Sequence, residues 1–581
     1  LGRLAPGVTV AQANAEVGRI ISDVKTAWRG STGGTSGRAT IWQDDQTAAA
    51  RPSVLMLSGA VLLLLLIACV NVATLMLGEA VRRQPEIFAR RALGATPGRL
   101  GRQLITESVA IAGSAAILGA LAARVGVRLL VRAAPAGIPG IADARVDGRV
   151  LAFTTVCALV IGVGFGLIPA FALLRRGAHS NVRIGTGQTQ RGAAAIQRTL
   201  VAAEVALSIV MLVGCSLLGR SLVRLSAVNP GFVADGLFEI DDYSTGQFWR
   251  DDARVTRFYT AAVDALRGVP GVTAASGSSN GLFEGGGSSS PVKVEGVTYA
   301  DNAEPPNIQQ RVVLPGYLRT IGVPLIAGRD FNAGDQSGGE PSVILTQSAV
   351  KRDWGGRSPI GRHVIWQNKT FTVVGVAADI RYNQLSQEVQ PMMYIPAAQW
   401  PGNTMVLTIR ASADPGALES LVKARLAPLD PAVTVRHVTP LRTLIRHSYA
   451  EERYRTLLGS LFGILAAVLA GVGVFGVISR TVAQRIREAG IRVALGAQER
   501  SVIMLMLRDT LRGTAIGLAV GLVLAIALAR ALTPYLFGVT ASDPLAYLLA
   551  LGLLATTLVV ATLPPARRAA RVDPAKVLRT D

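Results

Sequence analysis

Seven stretches of this 581-residue chain are apolar over more than 20 residues: about 53–77, 103–130, 150–174, 197–223, 455–479, 503–532 and 545–566. A helix needs about 20 apolar residues to cross the hydrocarbon of a bilayer. The first stretch contains Val61-Leu62-Leu63-Leu64-Leu65-Leu66-Ile67 and has no polar face. One such run could be a buried helix of a soluble core; seven of this length predict membrane spans. In lipid every backbone amide must be satisfied within a helix or a closed barrel. The runs therefore predict a polytopic α-helical membrane protein with about seven transmembrane helices.

Charge fits that fold. Charged residues make up 17% of the chain, below the roughly 25% of soluble domains. The net charge of +21 comes mostly from Arg in short loops beside the spans. No basic run is interleaved with aromatics, so no nucleic-acid partner is expected. Arg clusters occur at 78–102, 175–198, 480–502 and 567–579, which fall on one side if all seven spans are real. The opposite short loops, 131–149 and 533–544, are poorer in Arg and carry Asp143, Asp147 and Asp543. The basic side is cytoplasmic by the positive-inside rule. Residues 1–50 and 226–452 then lie outside, and the C-terminus inside.

Residues 226–452 lose the membrane composition and have turn-rich segments such as Gly285-Gly286-Gly287-Ser288-Ser289-Ser290-Pro291. Strand-like runs appear at 342–345, 370–376 and 405–409, with helical patterns near 251–268 and 415–427. About 225 residues suffice for a core, so a large α+β extracytoplasmic domain is expected. Cys69, Cys157 and Cys215 all lie in apolar spans, which gives the outer domain no disulfide frame. His179, His363, His437 and His447 are scattered, and no Ser/His/Asp grouping has local context. Neither a metal site nor a catalytic residue is expected, so the chain is not read as an enzyme.

A charged motif occurs twice, about 400 residues apart, each time between two apolar runs. Glu86-Ile87-Phe88-Ala89-Arg90-Arg91-Ala92-Leu93-Gly94-Ala95 pairs with Glu488-Ala489-Gly490-Ile491-Arg492-Val493-Ala494-Leu495-Gly496-Ala497. Internal duplication sets the architecture. The expected organisation is a tail of a first extracytoplasmic domain at 1–50, a three-helix membrane unit at 51–177 and a cytoplasmic linker at 178–196. An extra span at 197–225, the outer domain at 226–452 and a second three-helix unit at 453–581 follow. Because the sequence opens at Leu1 inside such a tail, it reads as a fragment or a gene product with a late start.

These features resemble the MacB/FtsX-like permeases of ABC transporters. The resemblance rests on Arg82-Arg83…Glu86…Ala89-Arg90-Arg91-Ala92-Leu93-Gly94-Ala95 and on Arg485…Glu488…Ile491-Arg492-Val493-Ala494-Leu495-Gly496-Ala497. In the outer region, Pro315-Gly316-Tyr317-Leu318-Arg319-Thr320-Ile321-Gly322, Gly328-Arg329-Asp330-Phe331, Pro359-Ile360-Gly361 and Val373-Val374-Gly375-Val376 also look like that family. The tandem arrangement resembles the duplicated permeases typical of acidobacteria. Two departures stand out: Gln84-Pro85 precedes Glu86, and Ala489 stands where a larger apolar residue is usual.

The resemblance implies a bacterial inner-membrane permease with no cofactor of its own, ATP being bound by a separate partner subunit. The chain has no Gly-x-x-x-x-Gly-Lys-Ser/Thr loop. The stretch 185–192 is Gly-rich but lacks the Lys and reads as a flexible linker. A cytoplasmic ABC ATPase dimer is the expected partner, beside the lipid bilayer and a periplasmic adaptor or envelope protein. Coupling is assigned to Glu86, Arg90, Arg91, Leu93 and Gly94, and to Glu488, Arg492, Leu495 and Gly496. Short helices would begin at Glu86 and Glu488, where a carboxylate suits the helix dipole, and end at Gly94 and Gly496. Gly463 and Gly471, and Gly513, Gly517 and Gly521, are expected to let helices pack closely. Glu204 is the main ionisable residue within a span, and Asn71 is expected to hydrogen-bond between helices, which disfavours an ion-coupled carrier. Export or mechanotransmission is the leading reading; the alternative is a signalling scaffold that regulates a cell-envelope enzyme. The cargo is not legible.

Overall fold

The computed structural model describes residues 2–27, 38–42, 51–82, 86, 89–90, 93, 96–135, 141–175, 186–244, 252–285, 287–297, 299, 305–332, 334–400, 405–494 and 499–570. The chain divides into two compact units, 1–41 with 225–450 and 42–224 with 451–581.

In chain order, helix α1 (Val10–Ala27) is followed by α2 (Arg51–Arg82), α3 (Pro97–Ala133), α4 (Gly148–Arg175) and α5 (Thr186–Ser226). The last begins well before the expected span at 197: residues 186–196, read as linker, are already helical. The Ala193-Ala194-Ala195 run favours that extension.

The outer unit is built on one mixed sheet of twelve strands. β1 (Leu237–Ser244) leads through α6 (Asp252–Arg267) to β2 (Val272–Ser278), β3 (Ser288–Pro291), β4 (Lys293–Val294) and β5 (Asn307–Val313). Helix α7 (Tyr317–Ile321), β6 (Leu325–Gly328), β7 (Ser342–Thr346), α8 (Gln347–Trp354), β8 (His363–Trp366), β9 (Lys369–Ala377) and β10 (Met392–Pro396) follow. The unit closes with β11 (Val406–Ala411), α9 (Pro415–Leu426), β12 (Val433–Pro440) and α10 (Leu441–Ser448). The strand order is β12-β1-β11-β2-β5-β10-β7-β9-β8-β4, with β3 on β5 and β6 on β9. Among the described residues, only β5/β10 and β7/β9 pair in parallel.

β7 and β10 are buried at every residue, as expected of strands covered on both faces. Helix α6 covers the sheet with Val255, Phe258, Tyr259, Ala262, Val263 and Leu266, all buried. Their spacing of three and four places them on one helix face. Helix α9 starts where Asp414 caps it, its carboxylate accepting from Gly416 N at 3.1 Å, with Pro415 in the first turn. Gly328 turns the chain with φ +74°, where a Cβ would lie 2.3 Å from Val374 O. The motif glycine is therefore a backbone requirement.

One charged network is built into this unit. Arg311 on β5 is 1% exposed. Its Nη1 donates to Asn280 O at 2.8 Å, Tyr317 Oη at 3.1 Å and Ser278 Oγ at 3.4 Å. Its guanidinium stands 5.2 Å from the Tyr382 ring centroid. Glu239 on β1 is 2% exposed and accepts from Leu282 N at 2.7 Å. Burial pushes the Glu239 carboxyl up to about 8; Glu284 adds to the rise, while the Leu282 amide and Arg311 oppose it. The folded state thus holds a proton that the unfolded chain releases near 4.5. That contribution to stability is complete below about pH 4.5 and is lost as pH rises through about 8. Glu239→Gln is expected to flatten the unfolding midpoint of the outer unit across that window; equal slopes in variant and wild type would refute the assignment.

The chain ends in α11 (Ala450–Ala494), α12 (Glu499–Ala529) and α13 (Pro544–Ala570). Six helices are long and apolar enough to cross a membrane among the described residues: α2, α3, α5, α11, α12 and α13. The seventh expected span, α4, is a 28-residue helix whose apolar stretch with described side chains is Gly148–Ile161. α5 is central, with Val201, Val205, Ile209, Leu212, Val213 and Leu217 buried against α11, α12 and α13. On α3, Ile111, Ile117, Leu118 and Leu121 are 60–68% exposed, a surface suited to lipid rather than water.

Candidate functional site

The candidate residues form two sets, a coupling motif and a set of close helix contacts. The first copy of the motif follows α2. Arg90 Nη2 meets Glu86 Oε1 at 2.6 Å, one helical turn away, with both side chains about half exposed. Arg90 Nη1 also donates to Gln103 Oε1 at 3.0 Å, and Gln103 Nε2 donates to Glu107 Oε1 at 3.2 Å. The motif is thereby tied to the first turns of α3, which starts at Pro97 after Thr96. An exposed ion pair contributes only about 0–1 kcal/mol; its consequence here is orientation. Leu93 closes a turn onto Ala89 O at 3.1 Å and stands 88% exposed. The arrangement presents one large apolar side chain beside a fixed carboxylate–guanidinium pair. Arg91 and Gly94 lie outside the described residues.

The second copy is housed differently. Glu488 and Arg492 belong to the last turns of α11, a continuous 45-residue helix. No separate helix begins at Glu488, so the favourable dipole expected for its carboxylate does not arise there. The run from 450 to 494 contains no Pro and little to interrupt a helix, whereas Pro85 precedes Glu86 in the first copy. The side chains of Glu488 and Arg492, and all of Leu495 and Gly496, lie outside the described residues.

The glycines occupy helix crossings. A Cβ at Gly513 would lie 3.1 Å from Arg198 O, at Gly517 2.3 Å from Ala202 O, and at Gly521 2.7 Å from Ala206 Cα. Steps of four on α12 thus match steps of four on α5 in the same direction. The two helices run parallel with their backbones in near contact. A Cβ at Gly463 of α11 would lie 3.0 Å from Cys215 Sγ of α5, and one at Gly471 3.2 Å from Thr557 Cγ2 of α13. Cys215 Sγ donates to Gly459 O at 2.7 Å, one turn from Gly463. Cys69, Cys157 and Cys215 are all free thiols.

Further contacts were not legible in the sequence. Arg480, counted only as loop charge, reaches from α11 to α2 and donates to Thr74 O at 2.8 Å and Leu75 O at 2.9 Å. A Cβ at Gly78 would lie 1.8 Å from Arg480 Nη1, so the absent side chain makes room for the guanidinium. Arg220 pairs with Asp543 at 2.8 Å, joining α5 to the start of α13. No spacing rule links residues about 400 or 320 positions apart.

The comparisons with known proteins agree with this architecture. The FtsX-like permease C-terminal model matches twice, at 58–182 and 460–574. The model of the MacB-like periplasmic core domain matches 199–429. The pyoverdine export ATP-binding/permease protein PvdT of Pseudomonas entomophila is 28% identical over 275 residues, 44% of this chain and 41% of that protein. The macrolide export ATP-binding/permease protein MacB of Rhodospirillum rubrum is 25% identical over 203 residues, 33% of this chain and 30% of that one. The chain thus matches less than half the length of these curated relatives. The solved periplasmic region of MacB from Actinobacillus actinomycetemcomitans is 16% identical at a TM-score of 0.26, covering 38% of this chain and 94% of that one. With two permease matches flanking one periplasmic-core match, the chain belongs to the MacB/FtsX-like family of ABC transporter permeases.

Proposed function

We propose that this chain is the permease of an ATP-driven exporter or mechanotransmitter in the bacterial inner membrane. A separate cytoplasmic ABC ATPase dimer hydrolyses ATP, and the spans carry the resulting motion to the extracytoplasmic domain. The observation that carries this reading is the duplication: two FtsX-like matches, each containing one copy of the Glu–Arg–Leu–Gly motif. One polypeptide then supplies both docking points of the dimer, with the Arg-rich loops and the C-terminus on the cytoplasmic side. In the first copy the Glu86–Arg90 pair orients the motif and Leu93 supplies an exposed apolar contact. The ATP-binding/permease names of the relatives favour an ATPase of the ABC class. An extracytoplasmic adaptor or other envelope protein is the proposed partner on the far side.

The test is reconstitution of the full-length chain in lipid nanodiscs with candidate ATPases. ATP hydrolysis should rise when the chain is present. Glu86→Arg combined with Glu488→Arg is expected to cut that stimulation by about tenfold or more. An exposed charge change such as Glu86→Arg alters stability by about 0.5 kcal/mol, and the unfolding midpoint of the double variant is measured alongside to separate loss of coupling from loss of fold. Full stimulation in the double variant would overturn the docking role of the motif.

A further inference from the structure

Glu204 lies on α5 within the helical bundle and is 0% exposed, yet neither carboxyl oxygen has a hydrogen-bond partner. It faces Gly473 of α11 and Asn71 of α2. Both Glu204 oxygens and Asn71 Oδ1 lie within 2.3 Å of the point where a side chain at Gly473 would begin. Asn71 Nδ2 is turned away and donates to Leu469 O at 2.9 Å. Both Glu204 oxygens and Asn71 Oδ1 are thus left without a hydrogen-bond partner around one buried spot. Turning the amide over would aim Nδ2 at the carboxyl but set Oδ1 against Leu469 O, acceptor against acceptor. An ionised carboxylate would leave a bare charge inside the bundle. A proton on Glu204 resolves both conflicts: its O–H donates to Asn71 Oδ1, while Asn71 keeps its bond to Leu469.

We propose that Glu204 is a proton-binding site that pins α2, α5 and α11 together through Asn71. One helix comes from each permease unit and one is the span between them. Release of the proton leaves a buried carboxylate beside the Asn71 amide oxygen with no proton between them and loosens this seam. The absent side chain of Gly473 makes the room. The charged residues nearest this spot along the packed helices are Arg198 on α5, Glu79 on α2, Arg480 on α11, and Arg508, Asp509 and Arg512 on α12; α13 carries none before Arg567. Arg480 is engaged by the Thr74 and Leu75 carbonyls, one turn beyond Asn71.

The test uses the full chain in nanodiscs. The infrared spectrum of the wild type at about pH 7 should contain a protonated-carboxyl C=O band that is missing in Glu204→Gln. On alkaline titration that band should disappear while the unfolding midpoint falls by roughly 5 °C, and Glu204→Gln should lack that part of the fall. A difference spectrum with only ionised-carboxylate bands, or superimposable pH–midpoint curves, would overturn the proposal. If Glu204→Gln fails to fold, Asn71→Ala reports instead. Loss of its hydrogen bond should shift the Glu204 C=O band to higher frequency, and an unshifted band counts against the site.

Discussion

Gly517→Leu is expected to prevent the membrane unit from folding, and Gly517→Ala to destabilise it by about 1–3 kcal/mol, the usual range for overpacking a filled interior. In an unconstrained helix the same Gly→Ala change would gain up to about 1 kcal/mol, so the sign of the effect is diagnostic. A methyl at Gly517 would sit 2.3 Å from Ala202 O and 2.8 Å from Ala202 Cα. Both atoms are backbone, and neither can turn aside as a side-chain end would. Relief requires α12 and α5 to separate, which also opens the contacts of Gly513 with Arg198 and of Gly521 with Ala206. Gly119 on α3 is the control, with nothing within 4 Å of its would-be Cβ. Thermal unfolding in detergent should show Gly119→Ala unchanged or improved and Gly517→Ala lowered. Equal midpoints for the two would refute close α5–α12 packing.

Arg311→Met is expected to cost the outer unit about 1–3 kcal/mol, the range for leaving buried polar groups without their hydrogen-bond partner. The methionine fills much of the same volume, so the loss is polar rather than a cavity. Asn280 O, Tyr317 Oη and Ser278 Oγ would each lose the guanidinium. Glu239 would lose the cation that holds its carboxyl lower. Arg311→Lys should recover only part of the loss, since one ammonium lacks the guanidinium's rigid fork of donors. Denaturant midpoints followed by tryptophan fluorescence suit this unit, because Trp354, Trp366 and Trp400 all lie in it. A loss below about 1 kcal/mol for Arg311→Met would show that the network is not a source of stability.

The apolar runs, the Arg-rich loops and the doubled motif determined most of the architecture, because bilayer thickness and backbone hydrogen bonding leave few alternatives to long helices. Strand-like runs at 342–345 and 370–376 fall within β7 and β9, and the helical patterns at 251–268 and 415–427 correspond to α6 and α9. Local periodicity carries that information. Local signals misled where continuity depends on what lies outside the window. Residues 186–196 extend α5, and Glu488 lies deep in α11 rather than at a helix start. The glycine stripes at 513–521 were legible as close-packing surfaces, but their partner was not. Only the tertiary structure decided that Gly517 meets Ala202, that Arg480 binds Thr74 and Leu75, and that Glu204, Asn71 and Gly473 converge. Such contacts join helices hundreds of residues apart, and their specificity lies in the register and crossing of whole helices, which no short stretch of sequence encodes.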